Sequence, residues 1–143
     1  MIVVDASLLV KLLVPEPDSG MADAWMRCTV DVSAPDLVAI EVAQAIVRRV
    51  NDRRATVGEG ERALGGWHDL LANGSVALVR TTPGQVEEAA LIAMQIGHPV
   101  RDCVYLALAI EHRGTLVTCD ARFQRRAVEV YPDIRLLADY VAS

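Results

Sequence analysis

The chain has 143 residues, with 14 basic and 19 acidic side chains and a formal net charge of −5 at pH 7. That length predicts a single domain over residues 1–143, large enough to bury roughly two-thirds of its unfolded surface. A 52% apolar composition excludes a disordered chain, 4% aromatics argue against an RNA-stacking platform, and the net acidity excludes coating nucleic acid by charge alone.

The start of the chain, Ile2 to Val14, is apolar but broken by Asp5 and Lys11 and carries no basic leader. It is expected to be folded structure rather than a signal peptide, and no run reaches the ~18 apolar residues of a membrane span. Ile2-Val3-Val4 reads as a strand covered on both faces. A helix follows over Ala6–Val14, stopped by Pro15 and Pro17, then a second over Asp18–Cys28 and a brief strand over Val30–Ser33. Ser33 and Asp36 resemble a capping box for a helix running to about Arg54. Thr56 and Glu59 repeat that signature before a helix closed by Asn73-Gly74.

Val76–Arg80 is the next expected strand, and Thr82-Pro83-Gly84-Gln85 opens a helix that Gly97 stops. His98-Pro99 is a turn, Asp102–His112 a helix ending at Gly114, and Thr115–Cys119 a strand. A short helix after Asp120 and a last strand near Ile134–Leu137 complete the chain. Short buried strands alternating with helices predict an α/β sandwich around a mostly parallel sheet. Cys28, Cys103 and Cys119, an odd set without a C-x-x-C pair, are expected to be buried thiols of a reduced cytoplasm.

Four carboxylates stand where such a fold binds ligands. Asp5 and Asp120 each follow a strand, and open parallel sheets bind ligands beyond the carboxyl ends of their strands. Two carboxylates there repel unless a cation lies between them, and hard oxygen ligands suit Mg²⁺ or Mn²⁺. Asp102 sits in a first helical turn, and Glu41 is the only charged residue between Leu37 and Ala43. Ser7 and Thr118, each two residues from a strand-end aspartate, can orient a carboxylate or a metal-bound water. Plainer roles stand beside these: Asp5 and Asp120 as helix caps, Asp102 answering a helix dipole, Glu41 in a solvent stripe with Gln44 and Arg48.

The segments Ile-Val-Val-Asp-Ala-Ser (2–7), the helix bearing Glu41, Arg-Asp-Cys-Val-Tyr-Leu-Ala-Leu-Ala (101–109) and Thr-Cys-Asp-Ala-Arg-Phe (118–123) together resemble the PIN-domain ribonucleases, most closely the VapC toxins of bacterial toxin–antitoxin pairs. The resemblance runs from the first strand almost to the C-terminus. It implies a PIN-like three-layer sandwich with a five-stranded parallel sheet and a metal-dependent endoribonuclease acting in the cytoplasm. By the same resemblance the acidic site maps onto Asp5, Glu41, Asp102 and Asp120, with Ser7 in its hydroxyl position and Thr118 as helper. The partners it implies are RNA, a second copy of the chain and a small antitoxin whose tail enters the acidic cleft.

Phosphodiester hydrolysis needs an activated water and a shielded phosphate, which one or two Mg²⁺ or Mn²⁺ ions supply. Asp5 and Asp102 are the expected metal ligands with Asp120 completing the set, and Glu41 binds a metal through water or takes the water's proton. Arg122, Arg125 and Arg48 are the candidate phosphate contacts, set against a plain solvated role. His68, His98 and His112 are scattered and show no partner in the sequence, which speaks against a metal-free histidine mechanism. An Asp-nucleophile phosphatase wants Asp-x-Asp where Ser7 stands, and a receiver-like domain wants two adjacent acids. The rival from another class is a non-catalytic module of the same fold that binds protein or RNA.

Overall fold

The structure, a computed structural model, describes residues 1–141. In chain order it runs β1 (Ile2–Val4), α1 (Ala6–Leu13), α2 (Ser19–Arg27), β2 (Val32–Pro35), α3 (Val38–Asn51), α4 (Val57–Ala72) and β3 (Ala77–Val79). There follow α5 (Pro83–Ile96), α6 (Val100–Glu111), β4 (Thr115–Thr118), α7 (Ala121–Ala127), β5 (Ile134–Leu136) and α8 (Leu137–Val141). The strands form one sheet in the order β3-β2-β1-β4-β5, every pair parallel.

Successive strand residues point to opposite faces, and both Val3 and Val4 are fully buried, so the centre of the sheet is covered on both sides. Helix α6 lies against β1, β2 and β4 and pairs with α5, while α1 packs on β4 and on α2, α3 and α4. Every residue from Cys103 to Ala109 is buried, which makes α6 the most enclosed helix. A helix apolar on all sides has no solvent face to present. No helix among the described residues is long and apolar enough to cross a membrane.

Helix ends follow local chemistry where the sequence spelled it out. Thr56 with Glu59 and Thr82 with Gln85 both form complete capping boxes, and Gly97 closes α5 with φ at 67°, the left-handed region that glycine enters without strain. The Ser33–Asp36 box does not form. Ser33 is buried within β2, α3 starts at Val38 without a side-chain cap, and Asp36 instead accepts bonds from the backbone and hydroxyl of Thr81 at 3.2 and 2.7 Å. The second strand accordingly lies at Val32–Pro35, because Asp31 turns the chain with φ at 61° and leaves Val30 in solvent. Helix α3 also ends at Asn51, short of Arg54. Cys103 is buried as expected, but Cys28 is exposed.

Candidate active site

Parallel strands bring their carboxyl ends to one edge, and register decides which residues meet there. Val4 is level with Val117, so Asp5 and Thr118, the next residues, face each other across β1 and β4. The Thr118 hydroxyl donates to Asp5 Oδ2 and accepts from the Asp120 backbone N–H at 3.0 Å. From the other side Ser7 donates to Asp5 Oδ1 at 2.5 Å and accepts from Cys119 N–H at 3.0 Å. Asp5 therefore sits in a closed ring of donors that join the starts of α1 and α7.

Both strand-end aspartates also cap helices. Asp5 Oδ1 accepts from Leu8 N–H at 3.3 Å, and Asp120 Oδ1 from Phe123 N–H at 3.0 Å. The capping role leaves Asp120 Oδ2 uncommitted among the described residues. Asp5 is held high, at about 6, chiefly because burial disfavours its charge, with the nearby Asp102 adding to the effect against the lowering pull of Ser7, Thr118 and Leu8. A buried carboxylate crowded by a second one is the electrostatic condition that a cation relieves.

Helix α6 contributes Asp102 from its first turn. Asp102 Oδ2 accepts from His98 Nε2 at 2.7 Å, four residues back. His98 is 6% exposed in its side chain and stacks on Phe123 of α7 with ring centroids 4.8 Å apart. Its Nδ1 is buried without a hydrogen-bond partner among the described residues. One ligand atom each from His98, Asp102 and Asp120 lie within 4.8 Å of one another, close enough to share an ion.

Glu41 stands apart from that trio. It is not in a solvent stripe: its side chain is 13% exposed, Tyr105 of α6 donates to Oε1 at 2.5 Å, and Arg101 Nε lies 3.5 Å from Oε2. The Tyr105 hydroxyl is pushed well above its ordinary range by burial, by its bond to Glu41 and by the charges of Glu41, Asp5 and Asp102. It stays a neutral donor. Tyr105 thus links the Glu41 corner to the aspartates electrostatically.

The structure brings Asp5, Asp102, Asp120, Ser7 and Thr118 to one end of the sheet, with Glu41 held nearby through Tyr105. Arg48, Arg122 and Arg125 are exposed and make no ion pair among the described residues. Sequence reading passed over His98, Tyr105 and Arg101, and His98 does have a partner. The signal lay in helical spacing: His98 and Asp102 are four apart, Asp102 and Tyr105 three, Arg101 and Tyr105 four.

A family model for the PIN domain matches residues 2–129. Ribonuclease VapC3 of Pyrobaculum aerophilum is 30% identical over 131 residues, covering 92% of this chain and 95% of that protein. VapC20 of Mycobacterium tuberculosis, a sarcin–ricin-loop-cleaving toxin, superposes with a TM-score of 0.71 at 17% identity, covering 87% of this chain and 94% of its own. A toxin–antitoxin complex from Klebsiella pneumoniae does so with a TM-score of 0.65 at 14% identity, covering 96% of this chain and 98% of the other.

Proposed function

As this chain belongs to the PIN domain family, we propose that it is a metal-dependent endoribonuclease, the toxin of a toxin–antitoxin pair acting in the cytoplasm. The observation that carries the reading is the gathering of Asp102, Asp120 and His98 within 4.8 Å beside buried Asp5, at the carboxyl edge of a parallel sheet. A ribonuclease with 30% identity over nearly the whole chain supports the substrate class.

Asp5, Asp102 and Asp120 would hold Mg²⁺ or Mn²⁺, as one ion or two, since carboxylate oxygens in a crowded acidic pocket suit hard divalent cations. Bound there, the ion supplies an acidified water and shields phosphate charge. The chain's own groups do the rest. Ser7 and Thr118 fix both oxygens of Asp5, His98 fixes one oxygen of Asp102, and Tyr105 fixes one oxygen of Glu41. Glu41, whose Oε2 lies 3.5 Å from Arg101 Nε, takes the proton of the attacking water. Arg122, Arg125 and Arg48 contact flanking phosphates, which offsets the chain's net charge of −5 locally. Attack by water leaves the RNA 2′-hydroxyl unused, so the products carry a 5′-phosphate and a 3′-hydroxyl.

The partners that fit are an antitoxin with a basic tail, drawn by the anionic cleft, and a second copy of the chain. A toxin–antitoxin complex among the structures of the same fold supports the first. Ile40 and Val47 of α3 and Leu91 and Met94 of α5 are large apolar side chains left exposed for such contacts.

The deciding experiment is digestion of end-labelled RNA by purified protein with Mg²⁺ or Mn²⁺, and again with EDTA. Cutting should occur only with metal and leave 3′ ends that an RNA ligase accepts. Cutting that survives EDTA, or 2′,3′-cyclic phosphate ends, would overturn the mechanism. A second measurement concerns His98. Its replacement by asparagine frees Asp102 to rotate, and Mn²⁺ affinity by calorimetry should fall about 10- to 100-fold, the usual cost of removing a group that orients a metal ligand. Unchanged affinity in a folded variant would remove His98 from the site.

A further inference from the structure

Beside the acidic cluster lies a cavity of about 370 Å³ lined by Ala6, Ser7, Val10, Lys11, Glu16, Ala45, Cys119 and Asp120. It shares Ser7 and Asp120 with the site described above, so whatever occupies it adjoins the reacting phosphate. Ser7, Val10 and Lys11 come from one stripe of α1, at spacings of three and four.

Its walls divide by chemistry. Ala6, Val10 and Ala45 are small and apolar, whereas Lys11 and Glu16 form a fixed polar end. Lys11 Nζ donates to Glu16 Oε2 at 2.8 Å and lies 3.4 Å from Asp18 Oδ2, and Arg49 donates to the other oxygen of Glu16. The side chains of Lys11 and Glu16 are 13% and 22% exposed, so neither swings freely. An ammonium has three donors and a carboxylate about four acceptor positions. Each therefore keeps hydrogen-bonding capacity beyond these ion pairs.

The charges of Lys11 and Arg49 are balanced by Glu16 and Asp18. A phosphate finds no net positive charge here, and Asp120 at the rim repels it. A neutral, planar group with donors and acceptors along one edge matches both the apolar walls and the paired polar end. The volume sits near the small end of the roughly 300–1,000 Å³ range of ligand pockets, which suits one such group. Single-stranded RNA offers it as an unstacked base, read along its edge.

Resting on the ribonuclease reading above, we propose that this cavity is a nucleobase subsite: it receives the base of the nucleotide adjoining the cleaved bond, and Lys11 and Glu16 read that base's hydrogen-bonding edge. Lys11 and Glu16 are then specificity-determining residues. They play no part in the hydrolysis itself.

The test is digestion of an RNA pool randomised around a fixed position, with Mn²⁺, by the wild type, Lys11→Met and Glu16→Gln, followed by sequencing of the product ends. The wild type should favour one base at a position flanking the cut. Both variants should lose that preference about 10-fold, a loss typical of a good side-chain-to-base contact, with preferences elsewhere and EDTA sensitivity retained. Weakened packing alone slows all sites alike, so the distribution of cut sites separates the two causes even where the variants are slow. An unchanged base preference in both variants overturns the subsite while leaving the ribonuclease reading intact. A wild type that cuts no member of the pool with metal overturns the ribonuclease reading, and the subsite with it.

Discussion

Replacing Asp5 with asparagine abolishes RNA cutting, by roughly 10³-fold, the several kcal/mol that a divalent ion contributes to the transition state, and it makes the metal-free protein more heat-resistant at pH 7.5. The two effects have one origin. Asp5 is buried and its carboxyl is pushed up to about 6 from an ordinary value of 3.8. Between those values the folded chain holds a proton that the unfolded chain releases, so stability falls as pH rises through that window. Above pH 6 the metal-free fold carries the whole cost of the buried charge, on the order of 3 kcal/mol. Asparagine removes the charge but keeps the size. Part of the gain is lost because the Ser7 and Thr118 hydroxyls must re-pair. Thermal melts should show the variant several degrees above wild type at pH 7.5, with the gain shrinking toward zero near pH 4. Adding Mn²⁺ should raise the wild type and not the variant. A variant less stable than wild type at pH 7.5, or a gain indifferent to pH, would contradict this account of Asp5.

The largest purely structural effect is expected at Gly114, between α6 and β4. A Cβ built there falls 2.6 Å from the Met1 carbonyl oxygen, and that oxygen is backbone and cannot swing aside. The same carbonyl accepts from Thr115 N–H at 3.3 Å, and the Gly114 carbonyl accepts from the Tyr131 hydroxyl at 2.6 Å. Alanine therefore has to push β1 away from β4, the pair whose far end carries Asp5 and Thr118. We expect Gly114→Ala to cost about 3 kcal/mol in chemical denaturation, at the upper end for overpacking, and to slow RNA cutting as well. Gly65→Ala is the control. It lies on the exposed side of α4, its Cβ would meet nothing within 4 Å, and helix propensity predicts a gain of about 0.5–1 kcal/mol. Equal effects from the two substitutions would show that the close approach at Gly114 is not constraining.

The parts of the chain that were legible in sequence are those whose signal is local. Two capping boxes, the glycine at the end of α5 and the all-apolar strand β1 are each spelled out within six residues. Ser33 misled because a hydroxyl followed at three residues by an acid reads as a helix start. Its burial in β2 depends on neighbours far away in sequence. The strand-end aspartates were visible for the same local reason, since a carboxylate ending an apolar run is conspicuous. Their joint environment was not. Thr118 reaches Asp5 across 113 residues and Tyr105 reaches Glu41 across 64, distances that only the strand register and the packing of α6 can bridge. His98 was passed over because a histidine beside a proline reads as a turn, and its stacking on Phe123 is a tertiary contact.

Asp5 and Asp120 each latch a helix with a carboxylate of the proposed metal site, whereas Asp102 caps nothing. Loss of either latch therefore touches a helix start as well as chemistry, and loss of Asp102 leaves the buried His98 ring without its one hydrogen-bond partner among the described residues. A lineage that keeps the scaffold for binding while shedding its enzymatic hazard has its least disruptive route through asparagine at position 5, which keeps an acceptor for the latch and drops the buried charge. Silenced descendants of such a toxin should carry their first acidic substitution there.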